Sequence, residues 1–381
     1  MKHSNKQLDG LRGVAILWVV AYHLLACAGM HPSLTGLLII PGVLQLGWIG
    51  VMIFFALSGY LITHNLVAAK SESRYFLTFI CKRVARILPI YLLLLASLPI
   101  AATFWAPERS EAIFNRGIPI WSHFVFIQNI YMALSGYFGN GWLRVTWSLA
   151  VEVQYYCFIV VVVWIVPKHR MPFVLSLIAV SSVVMRCLIY RAGFNQTALI
   201  TLAPCRMDSF ALGGLVALYR GDVKSELYLL CATGIGSLGA MLFLAFANGW
   251  FEQYTPLLVP LYYSFLALAC AATVAIGVAG RRVFGFLEIR GLVNIGRTSY
   301  FLYLFHMPVA LIFYQVFTKN APEGSTLVGV SIALISFLFC WALANVSFIY
   351  FENPIISYVR NKLKRPDPEL QPTPVSGAAD L

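Results

Sequence analysis

Ten apolar runs, each roughly twenty residues long, divide the chain near 11–29, 43–66, 84–106, 144–166, 171–190, 198–219, 227–247, 256–279, 292–317 and 327–350. A run of that length crosses the hydrocarbon core as a helix. Inside lipid only helices and closed barrels satisfy their own backbone groups. The expected architecture is an all-α, polytopic transmembrane helix bundle of about ten spans. Composition agrees: 60% of residues are hydrophobic and 11% are charged, whereas a soluble surface needs about 25%.

The net charge of +12 would suggest nucleic acid on a soluble protein. Here the cations segregate. With the N-terminus inside, the cytosolic segments hold Lys2, Lys6, Lys70, Arg74, Lys82, Arg83, Lys168, Arg170, Arg220, Lys224, Arg281, Arg282, Arg290 and the stretch from Arg360 to Arg365. The outer loops hold Arg109, Arg116, Arg144, Arg191 and Lys319. This positive-inside asymmetry predicts that both the N- and C-termini are cytosolic, and it leaves no free basic domain for nucleic acid. Asp9 and Arg12 interrupt the first run, so it reads as a retained span rather than a cleaved signal.

One integral membrane domain is expected over 1–355. A basic, then Pro-rich, disordered cytosolic tail is expected over 356–381. The eight cysteines show no CxxC and no metal spacing, so they read as small apolar fillers and no metal is expected. The outer stretch 107–143 contains an amphipathic or re-entrant piece, Pro119 to Met132, and a Gly-rich end, Gly136 to Gly141. It either helps hold a ligand or caps the bundle.

Ionisable residues inside spans cost about 2.5–3.5 kcal/mol on insertion scales, so each needs a partner or a job. Arg12 and His23 are eleven residues apart in the first run, close to three whole turns, and share one face at depths differing by roughly 16 Å. Glu152, a turn beyond Ser148, lies in the fourth run, Arg206 and Asp208 in the sixth, and His306 in the ninth. These depths are consistent with one shared cavity in the outer half of the membrane. A structural ion-pair cluster, or a packed histidine, is the competing reading. Arg83 and Arg86 share a face at the start of the third run beside Lys82. They are either topology signals or a phosphate clamp, since guanidinium forks match phosphate oxygens. Ser58, next to Gly59, is either a site serine or part of a close helix contact.

Seven segments, in order, resemble the acyltransferase 3 family of bacterial membrane O-acyltransferases. They are LDGLRGVAILWVVAYH (8–23), FFALSGYLI (54–62), KRVARILPIY (82–91), WSLAVEVQYY (147–156), RMDSFALGG (206–214), SYFLYLFHMP (299–308) and FENP (351–354). Together they cover essentially the whole chain. The resemblance implies a multi-pass protein of the bacterial cytoplasmic (inner) membrane. It implies transfer of an acyl group, acetyl by default, from cytosolic acyl-CoA (acetyl-CoA) to a saccharide acceptor. Acceptors in such a family include surface polysaccharide, lipopolysaccharide O-antigen, glucan, peptidoglycan and lipid-linked oligosaccharide. It further implies that Arg12 and His23 are required, that Arg83 and Arg86 serve the donor, and that Glu152 belongs to the site. Lys82 stands where an arginine is more usual, which keeps the charge and loses the fork. Some members add a soluble hydrolase-like domain, which is not expected here.

The residues suit such chemistry. His23 is the candidate general base and Glu152 the carboxylate that would orient it. His306, Arg206 or Ser148 would steady the oxyanion. A transporter or flippase for a sugar lipid or an anion also needs buried charges and is the main alternative, and a non-catalytic membrane scaffold is another. No matched pair of broken helices speaks for transport.

Overall fold

The computed structural model describes residues 5–26, 44–104, 117–219, 231–240, 258–279, 282–318 and 326–364. Its regular structure is helical throughout those residues. Seven of the described helices are long and apolar enough to cross a membrane.

Helix α1 (Lys6–Ala21) starts where the Asn5 side chain accepts from the Gln7 N–H. It continues into a π-helical turn over Tyr22–Ala26. Then follow α2 (Ile49–Ala69), the 30-residue α3 (Tyr75–Phe104), and two short helices, α4 (Ile120–Phe124) and α5 (Gln128–Ser135). Next are α6 (Thr146–Ile165), α7 (Met171–Arg191), α8 (Gln196–Thr201) and α9 (Met207–Leu218). After a helical stretch at 231–240 come α10 (Leu258–Ala279), α11 (Arg290–Arg297), α12 (Ser299–Phe317), α13 (Leu327–Ser347) and α14 (Asn353–Lys364).

The core is built around α2, which packs against α1, α6, α9 and α10. Its contact with α9 depends on two glycines. A Cβ on Gly59 would run into the Phe210 carbonyl, and one on Gly213 into that of Ala56. Small residues let two backbones approach in lipid, where no hydrophobic force draws helices together. Gly59 therefore makes the close helix contact, while Ser58 donates to Glu152 of α6.

The outer faces are apolar. On α7, Phe173, Leu177, Val180, Val184 and Leu188 are exposed at helical spacing. On α13, Leu334, Ile335, Leu338 and Leu343 do the same. Such a surface is costly in water and is what a lipid-facing helix presents.

The sixth apolar run departs from the expected single span. Residues 198–219 form α8, a tight 3₁₀ turn at Ala203–Cys205 with Pro204 in it, and then α9. At 12 residues, α9 is about 18 Å long, short of a ~30 Å hydrocarbon core. Arg206 and Asp208 sit at this break. Irregular backbone at membrane depth is tolerated where protein or a cavity surrounds it.

The piece Pro119 to Met132 exposes Trp121, Phe124, Val125 and Ile130 and is anchored on its other face. Its amides are inserted into the bundle: Gln128 donates to the Thr146 carbonyl (2.9 Å) and Asn129 to that of Thr201 (3.0 Å). Gln154 of α6 donates back to the Phe126 carbonyl (2.7 Å). At the other end, α14 runs through the expected boundary at 355 and packs on α3, so 356–364 is helical. The remaining tail, the ends of the seventh run, Arg109, Arg116 and Lys319 lie outside the described residues.

Candidate active site

Two cavities lie along α1 in place of the single chamber expected. The first, about 1330 Å³ including its open mouth, is lined by Asp9 and Arg12 of α1, Ser58 of α2, Arg83 and Arg86 of α3, Ser148, Glu152 and Tyr156 of α6, and Tyr303 of α12. The second, about 930 Å³ on the same measure, is lined by Tyr22, His23, Trp48, Arg144, Trp147, Arg206, Tyr263 and Tyr303, among others. Val51 and Tyr303 line both. The first helix and its π-helical end thus present Arg12 to one cavity and His23 to the next, and Val51 and Tyr303 form the partition between them.

The first cavity gathers guanidinium groups. Arg83 and Arg86 both face it because they are three residues apart on one helix. Lys82, about 100° further round, is exposed and does not line it. Arg12 pairs with Asp9 at 3.3 Å, and Asp9 also holds Arg297 at 3.2 Å. Arg83 lies 5.6 Å from the centre of the Tyr156 ring, and its Nε is buried without a hydrogen-bond partner. Neither Arg83 nor Arg86 has a carboxylate partner among the described residues.

Glu152 is not the carboxylate that orients His23. Its Oε1 accepts from Ser58 Oγ and from Tyr156 Oη (2.5 Å), both in the first cavity. The partner of His23 is another imidazole. His23 Nδ1 and His306 Nε2 are 3.1 Å apart, with ring centroids 5.1 Å apart. The proton on this bond can be assigned. His306 Nδ1 lies 3.0 Å from the Leu302 carbonyl and 2.8 Å from that of Tyr303. Carbonyls only accept, so Nδ1 carries the hydrogen of His306. In the neutral ring, Nε2 is then an acceptor and His23 Nδ1 must be the donor. That leaves the lone pair of His23 on Nε2, in a side chain that lines the second cavity. The π-helical turn at Tyr22–Ala26 carries His23 and alters the register of the helix there, a feature frequent at functional positions.

Ser148 contributes through Tyr303. Its hydroxyl lies 2.6 Å from Tyr303 Oη, and Tyr303 donates to the Val145 carbonyl (3.0 Å). The partition is thus held by hydrogen bonds between α6 and α12.

Arg206 and Asp208, neighbours in sequence, go separate ways. Asp208 is buried in an ion pair with Arg186 of α7 (2.8 Å), and Arg186 also donates to the Cys205 carbonyl and to Ser264. Asp208 lines neither cavity and has the structural role left open for it. Arg206 lines the second cavity, with its guanidinium 4.0 Å over the Tyr263 ring. Sequence reasoning missed Arg186, although an arginine inside an apolar run is itself a signal. It also missed Arg144, which was counted as a loop charge, and the partition residue Tyr303. Nothing in the local pattern marks a tyrosine as lying between two cavities.

The family profile described as "Acyltransferase domain" matches residues 5–345. The chain is 28% identical over 383 residues, 93% of its length and 56% of the relative's, to the peptidoglycan O-acetyltransferase OatA of Listeria monocytogenes. It is 30% identical over 367 residues, 91% and 54%, to the putative peptidoglycan O-acetyltransferase YrhL of Bacillus subtilis. It is 25% identical over 373 residues, 91% and 56%, to the O-acetyltransferase OatA of Staphylococcus aureus. The chain spans about half the length of the curated relatives it matches. No solved structure matches significantly. A profile match from residue 5 to residue 345, over the same helices that carry the two cavities, establishes that this membrane protein belongs to the acyltransferase 3 family.

Proposed function

We propose that the chain transfers an acyl group, acetyl by default, from cytosolic acyl-CoA to a hydroxyl of a saccharide presented on the outer side of the membrane. The observation that carries this reading is the pair of abutting cavities, one lined by Arg12, Arg83 and Arg86 and one lined by His23, whose imidazole meets that of His306, with Tyr303 and Val51 lining both. The peptidoglycan relatives are consistent with a saccharide acceptor. The charge asymmetry supports about ten spans with both termini cytosolic, which opens the Arg12, Arg83 and Arg86 cavity to the cytoplasm.

In this scheme the coenzyme's phosphates bind Arg83, Arg86 and Arg12, and Asp9 holds Arg12 in place. The pantetheine arm runs past Ser58 and Glu152 toward the partition. The thioester reaches the second cavity at Tyr303. There the acceptor hydroxyl attacks the thioester carbonyl while His23 Nε2 takes its proton. The tetrahedral intermediate expels the coenzyme's sulfur, which recovers that proton from the imidazolium. His306 accepts the Nδ1–H bond and fixes the tautomer that leaves Nε2 free.

Purified protein, assayed for release of coenzyme thiol and for labelled acyl transfer, tests this. His23→Ala is expected to remove both while the protein still accumulates in the membrane. Normal turnover in that variant would exclude the role of His23. Movement of a sugar lipid in vesicles without acyl-CoA would favour transport.

A further inference from the structure

The second cavity carries charge to which the scheme above gives no role. Arg206 is only 1% exposed, and its guanidinium is incompletely satisfied. Nε donates to the Ile200 carbonyl (2.9 Å), and one terminal nitrogen reaches only the Met52 sulfur at 3.7 Å, a weak acceptor. The other terminal nitrogen is buried without a hydrogen-bond partner. Arg144 lines the same cavity, half-buried and without a carboxylate partner among the described residues. The nearest acid in sequence, Asp208, is committed to Arg186. The described lining therefore holds two cations and no carboxylate.

Buried cations without a counter-ion are costly in a low-dielectric site. A guanidinium with free N–H groups is also the geometry that receives a carboxylate or phosphate in two-point fashion. Much of the remaining wall is aromatic, with Tyr22, Trp48, Phe138, Trp147 and Tyr263 in the lining beside His23. Broad aromatic faces suit the C–H face of a pyranose, with a few polar groups fixing its orientation.

We propose that the acceptor is an anionic saccharide, whose carboxylate or phosphate is held by Arg206 and Arg144 while a neighbouring hydroxyl is presented to His23 Nε2. This rests on the acyl transfer reading above and narrows its acceptor class. Arg206 then acts as a ligand for the acceptor, and its free nitrogen supplies the missing half of a two-point contact.

The test uses the full chain in detergent, following quenching of the fluorescence of Trp48 and Trp147 in the cavity wall. Three probes are titrated: methyl glucoside, methyl glucuronide and glucose 1-phosphate. The first is neutral, the second carries its charge on the sugar, and the third carries it as a phosphate of the kind that joins a sugar to a lipid carrier. At least one anionic probe is expected to bind about tenfold or more tightly than the neutral one, with an advantage that shrinks as salt is raised. Which of the two anions prevails distinguishes the sugar from the carrier as the source of charge. Arg206→Gln and, independently, Arg144→Gln are expected to lower affinity for that anion about tenfold and to leave methyl glucoside unchanged. Arg144→Gln serves if Arg206→Gln does not fold.

Equal binding of neutral and charged probes, a preference that survives both substitutions, or no quenching by any probe would overturn the proposal. Release of coenzyme thiol from acetyl-CoA, measured alongside, separates the two ideas. Thiol release that needs His23 without an anion preference removes only the acceptor assignment. An anion preference without thiol release removes the acyl transfer.

Discussion

His23 Nδ1 lies 3.1 Å from His306 Nε2, so the imidazole carried by the π-helical end of the first helix is paired with one from α12. His306 is buried at 1% exposure and turned by two backbone carbonyls of its own helix, which fix its tautomer and hence that of His23. His306→Ala is expected to lower kcat by about a hundredfold with little change in KM for either substrate. His306→Gln, placed with its carbonyl oxygen toward His23, is expected to recover part of that loss. Steady-state kinetics in vesicles decide it, and an unchanged kcat in His306→Ala would remove His306 from the site.

Glu152 faces the first cavity, with Arg83 and Arg86, and accepts from Ser58 and Tyr156. Glu152→Gln keeps an acceptor for both hydroxyls, whereas Glu152→Ala leaves the half-buried Ser58 hydroxyl and the hydroxyl of the buried Tyr156 unpaired at about 1–3 kcal/mol each. The expected result is that Glu152→Gln alters KM for acyl-CoA more than kcat, and that Glu152→Ala also lowers thermal stability. A loss confined to kcat in Glu152→Gln would place Glu152 back beside the imidazoles.

Arg83 and Arg86 form no direct ion pair with a carboxylate among the described residues and line one cavity. Arg83→Ala with Arg86→Ala is expected to raise KM for acetyl-CoA about 10- to 100-fold, since charge-assisted contacts to phosphate are the strong ones. The KM for S-acetyl-pantetheine, which lacks those phosphates, should be unchanged. Lys82→Ala should leave both values near those of the parent, because Lys82 does not line the cavity.

Arg186 and Asp208 form a buried pair at 2.8 Å that joins α7 to α9. Asp208→Ala leaves an arginine uncompensated and is expected to cost about 3–5 kcal/mol, read as a lower melting temperature in detergent. Arg186→Met combined with Asp208→Ala is expected to recover most of that loss, because apolar replacements of a buried pair are often neutral. Failure of the double variant to recover would mean that Asp208 has a partner beyond Arg186.

Most of the fold was legible because lipid enforces it. A run such as 144–166 has one way to satisfy its backbone, and α6 at Thr146–Ile165 follows. The break at Ala203–Cys205 was hidden because the 198–219 run is apolar on both sides of Pro204, and its hydropathy does not register the turn. Of the candidate residues, Arg12, Arg83, Arg86, Ser58 and Glu152 do share one cavity, and His23 and His306 do meet. Position along each helix was countable from the sequence at 1.5 Å per residue.

Rotation and pairing were not readable. Glu152 and His306 stood at comparable depths in the sequence, yet only His306 reaches His23, while Glu152 turns to Ser58. Asp208 and Arg206 are two residues apart, yet one is sealed against Arg186 and the other faces a cavity. The sequence by itself determined the solvent of this protein, its helical class, its family and the set of polar residues that must be accounted for, because burying a charge in hydrocarbon is costly wherever it occurs. Only the tertiary structure decided which charges pair and which remain open to a ligand, because that depends on how each helix is rotated against its neighbours. The backbone contacts of Gly59 with Phe210 and of Gly213 with Ala56 set that rotation for α2 and α9.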